Sequence, residues 1–268
     1  MEEIKKLLKG DIELSCNVML RNVDFLLHNY VDVVDACYDL INDVIDMAYW
    51  LRPSRSLPRE ERTVIVHKYL MYPMLDLVVF PNAYFIRIAL PLGALPQAFY
   101  SLRTILEAVA IALYADSKEE LKDLAHVQKI EHKSVYHATV FGVKDSLKRV
   151  LVEVYGTRKA EEFIEIILSA YEYLSAYIHP VARVKLRTER GVKEHAAGLL
   201  RAIALTTTRR GIPPAYGLLI PLEYGPEDLE DLRYLRACID YVRLSLAIIA
   251  RAWIRGKPVE DEKAVKEH

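Results

Sequence analysis

At 268 residues the chain is long enough to bury a substantial core, and its 52% hydrophobic content argues against global disorder. With 36 basic and 37 acidic residues the net charge is −1, so no global field favours nucleic acid or an anionic membrane, and any such contact has to be local. The three cysteines, Cys16, Cys37 and Cys238, are odd in number and form no CxxC pair, which excludes a disulfide framework or a zinc knuckle as the organising device.

The opening MEEIKKLLKGD starts with acids and lacks an apolar core, so it does not read as a signal peptide and a cytoplasmic protein is expected. The clearest pattern follows. Ile12, Cys16, Met19, Val23, Leu26, Tyr30, Val33, Cys37, Leu40, Val44, Met47 and Leu51 alternate four- and three-residue steps, a 3.5-residue repeat. It predicts one helix of roughly 60 Å, opened by Asp11 as N-cap and closed before Pro53. Cys16 and Cys37 lie on this stripe and read as small core residues. The seam serves either a coiled-coil dimer or a long helix of an antiparallel bundle. Leu20, Leu27, Val34, Ile41 and Ala48 recur every seven residues beside it and widen the stripe, which favours the bundle.

A polar, proline-flanked loop over 53–61 comes next, then a helix from about Arg62. Tyr69–Tyr100 is the most apolar stretch, but Pro73, Pro81, Pro91, Pro96, Asp76 and Arg87 interrupt it. A spanning helix needs roughly 20 uninterrupted apolar residues, so buried, kinked helical pieces are expected and stable membrane insertion is not. Pro96 marks the start of a helix to Ala115, with Phe99, Leu102, Leu106, Val109 and Leu113 inward. Ser117 and Glu120 form a capping box for a helix reaching about Val140. A helix from Lys144 ends at Tyr155 with Gly156 in the C′ place, and Thr157 caps the next, to Ile178. Phe163, Ile167, Ala170, Leu174 and Ile178 form its inward stripe. A helix of roughly 189–208 precedes a proline- and glycine-rich loop with a short extended piece at Leu218–Ile220. Pro226 opens the last helix, whose seam is Leu232, Leu235, Ile239, Val242, Leu246, Ile249 and Trp253. The predicted fold is all-α: a multi-helix bundle with a long N-terminal helix and mostly antiparallel packing. It forms a single domain over 1–258 with a sub-boundary near 53–61, and a charged, frayed tail over 259–268. Two glutamines and five asparagines among many Lys, Arg and Glu suggest a thermophilic source.

Two polar pairs stand out. Arg103 and Glu107 are i,i+4 on one helix face, about 40–60° off the apolar stripe, and so partly buried. They read as a boundary salt bridge or as a preorganised guanidinium and carboxylate in a cleft. Ser175 and His179 have the same spacing, with His179 at a helix end before Pro180. The histidine reads as a carbonyl cap or as a general acid, base or phosphate contact. Arg183, Lys185, Arg187, Arg190 and Lys193 begin the most basic stretch, running to Arg210. It is a candidate phosphate or nucleic-acid contact or a solvated helix face. Glu119, Asp123 and His126 share a helix face but read as solvated charge, so no metal site is predicted. There is no Walker A loop, GxGxxG, GxSxG or HExxH, and no cofactor is expected. Several of the 17 tyrosines, Tyr171 and Tyr177 among them, fall near the two pairs.

A helix carrying Arg103-x-x-x-Glu107, followed by a helix ending Leu174-Ser175-x-x-x-His179-Pro180, resembles several uncharacterised all-helical families grouped as HEPN-like. The resemblance covers about residues 96–183. It implies a metal-independent ribonuclease in which an arginine and a histidine four to six residues apart work at the RNA 2′-hydroxyl and phosphate. Arg62…His67 and Arg190…His195 have that spacing, and about two such matches arise by chance at this composition. Upstream of His179 the corresponding positions are Leu174, Tyr173 and Glu172. The expected function is therefore a non-enzymatic binding or interaction module with Arg103, Glu107, Ser175 and His179 as a buried polar cluster. The alternative is a HEPN-like ribonuclease or a nucleotide- or RNA-binding protein. Expected partners are a second copy through helical faces, or RNA or a nucleotide.

Overall fold

The first residue to leave the N-terminal helix is Tyr30, with φ −145° and ψ 41°. The computed structural model describes residues 2–117, 144–178, 223–225 and 228–256. In it, the predicted single helix is two: α1 (Glu2–Asn29) and α2 (Val31–Leu51). No proline or glycine causes the break. Tyr30 is buried, with its ring stacked on Phe25, which in turn stacks on Tyr224. Burying those rings outweighs the continuation of one helical turn. Asp11 is not the N-cap, because α1 already runs from Glu2 through Gly10. One interior glycine costs only about 1 kcal/mol, and the flanking Glu, Lys and Leu are good helix formers.

Cys16 is exposed, against expectation. Among the described side chains of α1, Val18, Asn22 and Leu26 are buried, while Leu20 and Leu27 face outward. The side-chain amide of Asn22 explains the shift. It donates to the Pro91 carbonyl at 2.8 Å and accepts from the Tyr224 amide at 2.9 Å, anchoring α1 to loop backbone rather than to the bundle. On α2 the seam holds: Val33, Cys37, Leu40, Val44, Met47 and Leu51 are all buried.

After α2 come α3 (Arg59–Lys68), α4 (Met71–Met74), a π-helical turn (Leu75–Val79) and α5 (Phe80–Ala89). Pro81 has no N–H to return to a preceding carbonyl, and the ladder widens to π just before it. α6 (Leu95–Ser117) lies at the centre, touching α4, α5, α7 (Lys144–Tyr155), α8 (Thr157–Ile178) and α9 (Leu229–Arg255). Its alanines at 98, 108, 110, 112 and 115 are buried and let these neighbours approach closely. α6 is long and apolar enough to cross a membrane, and 67% of its most apolar window is buried inside the fold. Gly156, at φ +79°, ends α7 in the left-handed conformation that glycine adopts without a Cβ penalty. All seven seam residues of α9 are buried, and α9 packs on α2, α6 and α8. The structure is thus an all-α multi-helix bundle, without strands among the described residues. The predicted helices over 120–140 and 189–208, the extended piece at Leu218–Ile220 and the tail lie outside the described residues.

Burial pushes the Cys37 and Cys238 thiols up to about 12. Native protein at pH 8 is therefore expected to take one maleimide, at Cys16, and denatured protein three, read by intact mass. Because unfolded thiols ionise near about pH 8.5, the stability these neutral thiols contribute is complete below that pH. It is lost as pH rises toward 12.

Candidate functional site

α6 and α8 bring three of the four predicted cluster residues to one place. Arg103 Nε and Nη2 each donate to Glu107 Oε1 at 3.1 Å. Nη2 also donates to the Tyr171 hydroxyl at 2.6 Å, and the guanidinium lies 4.8 Å from the Tyr171 ring centre. The Arg103 and Glu107 side chains are 18% and 24% exposed. Ser175 follows Tyr171 by one helical turn, with its Oγ shielded from solvent. Burial raises the Tyr171 pKa above its ordinary value, and the Glu107 carboxylate adds to this; Arg103 and the Ser175 hydroxyl act against it. Tyr171 is thus a neutral donor and acceptor that sequence reasoning left among the other tyrosines. Its i,i−4 spacing from Ser175 was the available signal.

His179, Arg183, Lys185, Arg187, Arg190 and Lys193 lie outside the described residues, as do Glu119, Asp123 and His126. Among the described residues, Arg103, Glu107 and Tyr171 engage one another. The carboxylate pairs with the guanidinium, and the phenol lies against one face of it. The chemistry of the group is that of a cross-helix tie that fixes α6 against α8.

A more open arrangement stands at the end of α2. Arg52 caps the helix in an extended conformation, and Pro53 prevents its continuation. Ser54 is buried and tightens the turn: its Oγ pairs with Ser56 Oγ at 2.8 Å, and its carbonyl accepts from the Leu57 amide. The chain then reverses into α3, an element with no buried residue. Between α2, α3 and α4 lies a cleft of about 600 Å³. Arg52, Arg55, Arg59, Arg62 and His67 line it, and Asp76 is the acid in that lining. Arg59, Thr63 and Val66 follow the i, i+4, i+7 rule and share a helix face, beside Arg62. Arg62 Nε is shielded from solvent and meets no acceptor among the described residues. Tyr49, Tyr72, Pro53 and Leu75 supply the apolar walls.

Sequence reasoning missed this cleft because it placed 53–61 in a polar loop and sought basic charge after residue 183. The signal was present: arginines at 52, 55, 59 and 62 step by three, four and three. Chemically, guanidinium forks offer paired donors to phosphate or carboxylate oxygens, and the volume matches small-ligand pockets. Compared with protein-family models, curated proteins and solved structures, the chain matches none.

If this group is a structural tie, Arg103→Met should lower stability by about 2 kcal/mol in urea unfolding, since it strands Glu107. A double-mutant cycle with Tyr171→Phe should show a coupling of about 1 kcal/mol. Additive effects of the two changes would remove the cross-helix role.

Proposed function

We propose that the protein is a non-enzymatic helical binding module whose ligand is an anion rich in phosphate or carboxylate oxygens, held in the arginine-lined cleft beside α3. The observation that carries this reading is the convergence of Arg52, Arg55, Arg59 and Arg62 with His67 on one cleft against Asp76. Four like charges in one cleft repel one another, and an anion relieves that repulsion while offering an acceptor to Arg62 Nε, which meets none among the described residues. α3 packs on the core through the half-buried Ile65, and Arg59, Arg62 and Thr63 of the same helix line the cleft. The non-enzymatic part of the reading draws on Arg103 and Glu107, two of the four residues first expected to do chemistry, which pair with each other and with Tyr171.

A second reading, a metal-independent ribonuclease, draws on one observation: Arg62 and His67, an arginine and a histidine separated by four residues, line the same cleft. In it the guanidinium would hold the phosphate and the imidazole would move the proton at the 2′-hydroxyl.

One set of variants separates the readings. Arg59→Glu with Arg62→Glu should weaken pyrophosphate and single-stranded RNA binding at least about tenfold in calorimetric titration, with steep salt dependence. The same pair should leave urea unfolding within about 0.5 kcal/mol, as expected of residues outside the core. Unchanged affinity would refute the cleft as the site. RNA cleavage by the wild type that disappears in His67→Ala, at unchanged RNA affinity, would establish the second reading instead.

A further inference from the structure

The molecule carries a second surface unlike the cleft. On α2, Tyr38 and Ile45 lie seven residues apart and are about half exposed. On the π turn and α5, Leu77, Phe80, Tyr84 and Ile88 recur on one face and are exposed, Leu77 at 75%. α2 packs on α5. The two rows are one surface: the Arg87 guanidinium lies 5.2 Å from the Tyr38 ring centre and 5.4 Å from that of Tyr84, and Phe80 stacks on Tyr84. Tyr38, Tyr84 and Phe80 joined in this way, with Ile45, Leu77 and Ile88 exposed on the same two packed elements, exceed the scattered exposure normal for a monomer surface.

Charge selects the occupant. From Val31 to Leu51, α2 carries five aspartates and no lysine, arginine or histidine. Asp39 and Asp43 engage Arg243 of α9, whereas Asp32, Asp35 and Asp46 are exposed. A second copy docking by its own α2 would set three exposed aspartates against three, which one Arg87 from each copy does not balance. An anionic lipid surface would meet the same repulsion. A helix with an apolar stripe and basic flanks meets neither obstacle: its stripe covers the aromatic row and its bases meet the aspartates.

We propose that the exposed face of α2 and α5 is a docking surface for a cationic amphipathic helix of a partner protein. This surface is independent of the arginine cleft. The test is fluorescence anisotropy of a labelled synthetic helix with leucine on one face and lysine on both flanks. A counterpart with glutamate in place of lysine serves as the control. The wild type should bind the lysine peptide, less tightly as salt rises, and not the glutamate peptide. Ile45→Asp and Tyr84→Asp, each checked for an unchanged helical circular dichroism spectrum, should each weaken binding at least about tenfold. Arg62→Glu, in the cleft, should leave it unchanged.

Equal binding by the two surface variants, or no binding by the wild type, overturns the proposal. So does a dimer in sedimentation velocity that Ile45→Asp dissolves, which assigns the face to a second copy. Binding to phosphatidylcholine–phosphatidylserine vesicles that Tyr84→Asp abolishes would assign it to lipid and overturn it equally.

Discussion

The carboxylate of Asp116 holds the cleft end of the molecule together. It sits near the end of α6 and accepts three N–H donors from two other parts of the chain. These are the Leu70 amide at 2.6 Å, the Met71 amide at 3.0 Å and the Trp253 indole at 2.7 Å. The first two are the free amides at the start of α4, which has no side-chain cap of its own. A carboxylate at a helix start is favoured by the dipole, and charge-assisted bonds are the stronger kind. Around it Tyr69, Tyr72 and Trp253 meet edge to face, and the Tyr72 hydroxyl donates to the Leu51 carbonyl at the end of α2. One acid thereby sets α4 relative to α6, α9 and α2. Since α3 leads into Leu70, the arginine cleft inherits its shape from this node.

Elsewhere, the same logic fixes helix register. Two 3.5-residue seams slide past each other at little cost, because every step meets another apolar position. Directional contacts remove that freedom. Arg243 of α9 reaches Asp39 and Asp43 of α2, and its pKa is raised first by the hydrogen bond to Asp43. Tyr155 of α7 donates to the Ile248 carbonyl, and Tyr177 of α8 to Asp231. Arg103 with Glu107 and Tyr171 belongs to this set. Partial burial and conspicuous polarity are properties that register ties share with active sites. An i,i+4 pair off the apolar stripe therefore does not distinguish them until its surroundings are known.

What the sequence made legible follows from the range over which each signal acts. α7, α8 and the α9 seam were read to within a residue or so, because Gly156, Thr157 and the apolar period are local. The break at Tyr30 was not, because it depends on Phe25 and Tyr224 converging from distant parts of the chain. Nor was the exposure of Cys16, since the period of α1 promised a bundle contact that Asn22 redirects to a loop. The start of α3 at Arg59 was placed three residues late, and that small error mattered most. With 53–61 read as linker, its arginines became solvated loop charge rather than a wall. The Arg103 pair was found because both members lie on one helix. Its completion by Tyr171, 68 residues on, required the packing of α6 on α8.

The two surfaces constrain each other through α2. Its C-terminal end contributes Tyr49 and Arg52 to the basic cleft, while the turns before it carry aspartates along the apolar face. An anion is repelled by the second region and a cationic helix by the first, so neither ligand competes for the other's place. Asp76 lies in the cleft lining beside Leu77 of the apolar row, on the π turn that joins α4 to α5. A π turn is a widened, less regular stretch of helix, often found at functional positions. Here it holds adjacent residues on the two surfaces within a single turn.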